Sequence, residues 1–197
     1  QAVLKKHDVL MIADEEITGF MRTGNMFACE TYNIKPDLMS IAKALSSAYL
    51  PIGAVMMSDE VYQVLRDGSD QFGMWNTGYT YSGHPVAAAV ALETLRIYEE
   101  RDLLGHVRSV MGTFQEQMQA FADHPLVGEA RGIGLIGGLE IVANKETKEQ
   151  FPAEAKAAPQ IADKILEQGV ILRPLPGDCI GICPPLIINE SEVDAIF

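Results

Sequence analysis

The chain has 197 residues, of which 48% are hydrophobic and 21% are charged, a composition typical of a globular protein that can bury a full core. Its formal net charge of −12 repels phosphate backbones and so argues against nucleic acid as a partner. No apolar run approaches the roughly 20 residues that a membrane-spanning helix requires, so no membrane segment is expected.

The first half of the chain has the pattern of an α/β protein. A continuous apolar run over Val9 to Ala13 predicts a strand of a parallel sheet, buried on both faces. Turn signals and a short helical stretch over Met26 to Tyr32 follow, and then a second apolar run, Leu38 to Ala42. Only about ten residues separate that run from a third, Ile52 to Met57, too few for a parallel crossover, so the third strand is predicted to be antiparallel.

Two helices are predicted in the middle of the chain. Pro85 in the first turn and the alanine-rich stretch that follows predict a helix up to Tyr98. The pattern breaks over Glu99 to Asp102, and the second helix then carries one apolar stripe with spacings of three and four residues, typical of a packing face. The stripe consists of Leu103, Val107, Val110, Phe114, Met118 and Phe121.

Beyond Gly128 the pattern predicts an α+β lobe. Its expected elements are a glycine-rich strand over Gly132 to Val142, a helix over Ala155 to Gln168 that Gly169 closes, strands near Val170 to Arg173 and Ile180 to Ile182, and a final amphipathic helix. We therefore predict two domains, residues 1–99 and 100–197. Because the chain has no initiator methionine and ends within a helical pattern, we expect it to be part of a longer protein.

Two charged residues each follow a predicted strand of the first domain. Asp14 comes after the first strand and Lys43 after the second, and ligands of open α/β sheets bind at that edge. Taken singly, each has a plain structural interpretation: a lysine after a strand is usually solvated, and an aspartate there usually caps a turn. Spacing alone does not decide between a site and these alternatives.

Longer stretches of sequence do favour a site. The segment ADEEITGFMRTGNMFACETYNIKPDLMSIAKALSSAYLPIGAVMMSDEVY strongly resembles the core of class III, fold-type I, pyridoxal-phosphate (PLP) aminotransferases. GYTYSGHPVAAAVALETLRIYEE and ILRPLPGDCIGICPPLIINESEVD resemble later motifs of the same family, in the same order. The resemblance spans nearly the whole chain and is strongest to the ω-transaminase, or amine:pyruvate, branch. It implies part of the mostly parallel large-domain sheet, followed by an α+β C-terminal small domain.

The resemblance also implies roles for four residues. Lys43 matches the lysine that forms the Schiff base with PLP and later moves a proton, and Asp14 matches the aspartate that pairs with the pyridine nitrogen. Thr80 matches a threonine that reaches the cofactor phosphate of the neighbouring subunit, which implies a homodimer with shared active sites. Arg173, in ILRP, resembles the mobile arginine that binds a substrate carboxylate, although an arginine at a strand end is as often simply solvated.

Three positions depart from the family pattern. Glu16 stands where a valine usually packs against the cofactor ring, so a carboxylate there must turn away, find partners or alter the reaction. It is therefore a candidate cofactor-binding residue. Met21 replaces a common glycine, and Thr77 stands where histidine is frequent. The departures leave the range of substrates open.

The function implied is transfer of an amino group from a primary amine or ω-amino acid to a keto acid such as pyruvate. Two alternatives remain open: another class III reaction, such as that of an aminomutase or a decarboxylating aminotransferase, and a catalytically silent homologue. Three cysteines without the spacing of a disulfide framework favour a cytoplasmic location, and Cys179 with Cys183 lacks the nearby histidine that a zinc site would need. We expect no metal.

Overall fold

The computed structural model describes all residues, Gln1–Phe197, and they form two compact units, Gln1–Leu104 and Gly105–Phe197. The assignment of residues 1–99 and 100–197 to the two domains of the family stays a prediction. None of the helices combines the length and the apolar composition that a membrane crossing requires.

The first unit contains a three-stranded sheet with strand order β1-β2-β3. Its elements are α1 (Ala2–Lys6), β1 (Ile12–Asp14), α2 (Ala28–Thr31), β2 (Leu38–Ile41), β3 (Ala54–Met57), α3 (Asp59–Phe72) and α4 (Pro85–Glu100). β1 and β2 are parallel, and β3 runs antiparallel to β2, as the short connection predicts. The register pairs Asp14 with Ser40, so the carboxyl ends of β1 and β2 lie side by side.

The first strand differs from its prediction in both length and burial. It begins at Ile12 rather than Val9, and Ile12 is 68% exposed, so the expectation of a strand buried on both faces is wrong for this chain. The physical reason is its place at the edge of a small sheet, where no described element covers its outer faces. Apolar side chains such as these are usually buried, but no element of the 197 residues covers them.

The second unit contains a four-stranded antiparallel sheet with strand order β4-β5-β7-β6. Its elements are α5 (Leu103–Ala120), which begins at the boundary, β4 (Val127–Ile133), β5 (Ile136–Ile141), α6 (Ala157–Glu167), β6 (Arg173–Leu175), β7 (Cys179–Ile182) and α7 (Glu190–Ile196). The apolar stripe of α5 is confirmed as a packing face, because Val107, Phe114 and Met118 are fully buried.

The glycine-rich segment after Gly128 is a hairpin rather than one strand. Gly134 and Leu135 connect β4 to β5, and Ile133 pairs with Ile136 directly across the turn. Only Gly134 of the two turn residues has a positive φ, +58°, as a type II′ turn requires. The prediction of a single strand over Gly132 to Val142 is therefore wrong, because the run of small and apolar residues conceals the turn.

Candidate active site

Lys43 lies in a tight turn directly after β2. It is the first residue of a short 3₁₀ turn, Lys43–Ser46, and its φ of +51° is in the left-handed region that non-glycine residues rarely adopt. A strained backbone at a charged residue persists only where neighbouring groups hold it in place, and such strain is often found at functional sites. Ten other non-glycine residues, Lys148 and Lys156 among them, also have a positive φ, so Lys43 stands out by its place directly after β2 and not by strain alone.

Besides its backbone hydrogen bonds, two side-chain hydrogen bonds support this turn. Tyr98, on α4, donates from its hydroxyl to the Ala44 carbonyl oxygen at 2.8 Å, and the buried Ser46 hydroxyl donates to the Leu50 carbonyl at 2.7 Å. Burial raises the pKa of Tyr98, and a hydrogen bond with Ser47 opposes that shift by a smaller amount. The phenol therefore stays protonated at neutral pH and remains a donor to the turn.

We expect Tyr98→Phe to weaken the hydrogen bonding of the Lys43 turn without creating a cavity. The variant loses one hydroxyl, and the Ala44 carbonyl keeps only the Ser47 N–H as donor, so the loss of unfolding free energy should be about 0.5–1.5 kcal/mol. Chemical denaturation measures that loss, and limited proteolysis reports whether the chain becomes more susceptible near Lys43. Tyr62→Phe on exposed α3 is the control, and an equal loss of stability there would contradict the assignment.

Asp14 ends β1 beside the Lys43 turn. Its Oδ1 accepts a hydrogen bond from the Glu16 backbone N–H at 3.0 Å and a longer one from the Ser40 hydroxyl at 3.5 Å. The carboxylate is thus oriented by its own turn and by the neighbouring strand, at the sheet edge where ligands of α/β proteins bind.

Glu15 points in the opposite direction, into the protein, and is only 2% exposed. Its Oε2 accepts hydrogen bonds from the Thr18 hydroxyl at 2.5 Å and the Ala28 N–H at 3.0 Å, while Oε1 accepts from the Cys29 N–H at 2.7 Å. The two N–H groups belong to the first turn of α2, so the buried carboxylate is fully partnered and binds the positive end of that helix. Glu15 thereby anchors the segment that carries Asp14 and Glu16.

Glu16 contacts the lysine directly. Its Oε2 lies 2.5 Å from Lys43 Nζ, and the two side chains are 39% and 52% exposed. The contact joins the segment after β1 to the turn after β2, so the residues at the ends of the two strands share one site. Of the outcomes expected for a carboxylate at this position, the structure has the one in which Glu16 finds a partner.

The chain around Met21 explains why a glycine would suit that position. Phe20 and Met21 have φ values of +58° and +74°, and both side chains are buried, at 3% and 2% exposure. A left-handed residue with a buried side chain is uncommon, and glycine would adopt the same backbone without steric cost. Met21 is part of the turn that supports the site, and it fills the interior where a glycine would leave space.

Two other predicted site residues are exposed. Thr80 is exposed, in the loop that precedes α4, where the Ser82 hydroxyl accepts from the Tyr79 N–H at 2.9 Å. Arg173 is the exposed first residue of β6 in the second unit. Their roles toward a neighbouring subunit and a substrate carboxylate stay predictions.

Two structurally important residues were missed from the sequence. Glu15 could have been suspected, because three consecutive acidic residues after a strand cannot all face one side of the chain. Tyr98 had no such signal, since a tyrosine near a helix end is ordinary and its partner, Ala44, is 54 residues away. The partly exposed Cys29 thiol near the site has its pKa raised by desolvation and then by the Glu15 carboxylate, so it stays a thiol.

A comparison with models of protein families shows the family of the chain. The family model "Aminotransferase class-III" matches residues 1–197. The chain belongs to this family. No group of three or more His, Cys, Asp or Glu side chains is placed to hold a metal ion.

Relatives and solved structures from the family are similar along the whole chain. The chain is 50% identical over 198 residues to the uncharacterized aminotransferase y4uB of Sinorhizobium fredii, covering 100% of the chain and 42% of the relative. It is 50% identical over 197 residues to the chloroplastic gamma aminobutyrate transaminase 3 of Solanum lycopersicum, with 100% and 38% covered. The chain thus spans about two fifths of the length of these relatives.

Solved transaminases confirm the predicted fold class. A transaminase from work on ancestral reconstruction superposes with a TM-score of 0.96 at 48% identity, over 100% of this chain and 43% of that one. The omega transaminase of Pseudomonas jessenii in complex with PMP has a TM-score of 0.93 at 45% identity, again over 100% and 43%. The chain therefore has part of the α/β fold of the fold-type I transaminases.

The residues at the site have the chemistry that PLP requires. An aldehyde needs an accessible primary amine, and Lys43 is half exposed. A pyridine ring that is to stay protonated needs a carboxylate, and Asp14 is held in orientation at the end of the neighbouring strand. The donor set therefore fits the cofactor.

Proposed function

We propose that the protein transfers an amino group from a primary amine or an ω-amino acid to a keto acid such as pyruvate, with pyridoxal 5′-phosphate as cofactor. The observation that carries the proposal is the single site formed by the ends of two parallel strands, with Asp14 on β1 and Lys43 after β2, linked through Glu16. In open α/β sheets this edge is where cofactors bind.

The residues of this chain would have separate roles in the reaction. When bound, the cofactor supplies the electron sink that lets an amine lose its α-proton. Lys43 would hold it through Nζ and would later move the proton, and the turn after β2 places this side chain at the sheet edge. Asp14 would stabilise the charged ring nitrogen, and Glu15 would keep Asp14 in place through its hydrogen bonds to α2.

We infer an ω-amino acid or simple amine as donor. Several relatives are named gamma aminobutyrate transaminases, and the superposed Pseudomonas jessenii enzyme is named an omega transaminase. Arg173 would bind the carboxylate of the keto acid or of an ω-amino acid, for which a planar guanidinium is suited. Single-turnover assays separate this reaction from that of an aminomutase: transamination leaves the pyridoxamine form and a ketone or aldehyde, whereas an aminomutase returns an isomer.

We further propose a homodimer whose subunits share active sites through Thr80. The proposal is supported by the exposure of Thr80 and of the aromatic residues near it, Trp75, Tyr79 and Tyr81, which are 56% to 89% exposed. Mixing a Lys43→Ala variant with a Thr80→Ala variant tests it. If the threonine serves the partner's site, hybrids regain one intact site and activity exceeds that of either parent, whereas no regain would contradict sharing.

A cytoplasmic location is also proposed, supported by three cysteines that are all unpaired. Several relatives are named mitochondrial or chloroplastic, so the location is tested directly by cell fractionation.

The decisive experiment on the cofactor is covalent trapping. The protein, produced at the length of its relatives, is incubated with pyridoxal 5′-phosphate, reduced with borohydride and mapped by mass spectrometry. We expect one pyridoxyl group per subunit, on Lys43. A stable adduct on another lysine, or none, would overturn the proposed function.

A further inference from the structure

The ion pair between Glu16 and Lys43 has a consequence for the lysine itself. The nitrogen that would attack an aldehyde is the atom that Glu16 Oε2 contacts at 2.5 Å, so the ion pair occupies that nitrogen. A salt bridge and a covalent bond to a cofactor also require different positions of the same nitrogen. The carboxylate therefore competes with the cofactor for Lys43.

Both ends of the pair are attached to fixed backbone. Glu16 donates its N–H to Asp14 Oδ1 at 3.0 Å, and the preceding Glu15 is anchored by the hydrogen bonds to α2. Lys43 lies in the turn that Tyr98 holds. Exposed ion pairs usually contribute little, partly because two free side chains must be ordered, and here part of that ordering is already provided by the backbone.

We infer that Glu16 is a positioning residue that acts as a latch on Lys43, holding Nζ in the ion pair until the carboxylate is displaced. The inference rests on the proposed role of Lys43 as the nucleophile. In the capture step the ammonium gives one proton to solvent, and its lone pair forms a bond to the aldehyde carbon. The nitrogen then gives up its two remaining protons, and the aldehyde oxygen takes up two protons and leaves as water. Glu16 has to release the amine before the first of these events.

The test compares Glu16→Gln with the wild type at the length of the relatives, without cofactor. Acetylation by sulfosuccinimidyl acetate, which attacks only neutral amines, is followed peptide by peptide. We expect Lys43 to react about threefold to tenfold faster in Glu16→Gln, because the amide keeps the shape and removes the charge. Capture of pyridoxal 5′-phosphate, trapped with borohydride over time, should accelerate by a similar factor.

A second pair in the chain supplies the control. Lys164 and Glu167 form an exposed ion pair at 2.9 Å on α6, and Glu167→Gln should leave the reaction of Lys43 unchanged. Salt gives an independent measurement on the unaltered protein: added sodium chloride should accelerate Lys43 acetylation in the wild type and have little effect in Glu16→Gln, because exposed pairs are screened. A merely structural role for Glu16 would not produce this difference.

The outcomes separate the latch from the proposed function. Equal acetylation rates in Glu16→Gln and wild type, or a wild-type rate that salt does not alter, would overturn the latch while an adduct on Lys43 leaves the cofactor assignment standing. An adduct on another lysine would overturn the assignment of Lys43 and the latch together. Glu16→Asp, which retains the charge on a shorter side chain, should give a rate between the other two.

Discussion

Lys43→Ala should lower the rate of amine transfer by about 10³-fold or more while the protein remains folded. The side chain is the only amine placed at the edge where β1 and β2 end, and it would serve both as the covalent attachment and as the group that moves the proton. Loss of a nucleophile that is also the base is among the largest effects a single substitution produces. Turnover with a primary amine and pyruvate measures it.

Stability distinguishes a lost nucleophile from a damaged fold. Lys43 is half exposed, and alanine keeps the Cβ that makes the left-handed backbone costly, so denaturation should show a change in unfolding free energy within about 1 kcal/mol. Lys43→Arg serves as the charge-retaining control and should be equally inactive, because a guanidinium forms no Schiff base at neutral pH. Activity within tenfold of the wild type in either variant would contradict the role of Lys43.

The largest loss of stability is expected from Glu15→Ala. The buried carboxylate accepts three hydrogen bonds, two of them from the N–H groups at the start of α2, and alanine leaves those donors without partners. Each unsatisfied buried donor costs about 1–3 kcal/mol, and the lost volume adds to this, so we expect about 3–5 kcal/mol less unfolding free energy. Urea denaturation measures it.

Glu30→Ala provides the comparison for Glu15. Glu30 lies in the first turn of the same short helix but is exposed, so its loss should cost under about 1 kcal/mol. Glu15→Gln should fall between the two, because the amide oxygen can replace only one of the two carboxylate acceptors. If Glu15→Ala and Glu30→Ala were equally stable, the anchoring role assigned to Glu15 would be wrong.

The elements of the fold followed closely from the sequence where local rules decide them. The antiparallel third strand was predicted from the length of one connection, and the helix break at Asp102 from the loss of apolar period. The predictions that were wrong concern features that local pattern does not encode. The apolar run of β1 could not reveal that no described element covers its outer faces, and the turn at Gly134 is hidden among other glycines.

The residues of the candidate site likewise divide into those that the sequence predicts and those that depend on tertiary contacts. Asp14 and Lys43 were predicted from their positions after strands and from the family resemblance. The partner of Glu16 could not be predicted, because a single sequence does not show which cation a carboxylate will contact. Glu16 and Lys43 are 27 residues apart in the sequence. The hydrogen bond of Tyr98 to the Lys43 turn is also a tertiary contact, and it depends on how α4 packs against that turn.

The exposed sheet of the first unit has a practical meaning for anyone who produces residues 1–197 by themselves. Ile12 on one outer strand and Val55 on the other are each more than 60% accessible to solvent, and both strands leave hydrogen-bonding groups unpaired along their margins. Such margins recruit further strands from identical molecules. We expect this stretch, expressed alone, to collect in inclusion bodies, and the longer polypeptide to be the material of choice for crystallisation and kinetics.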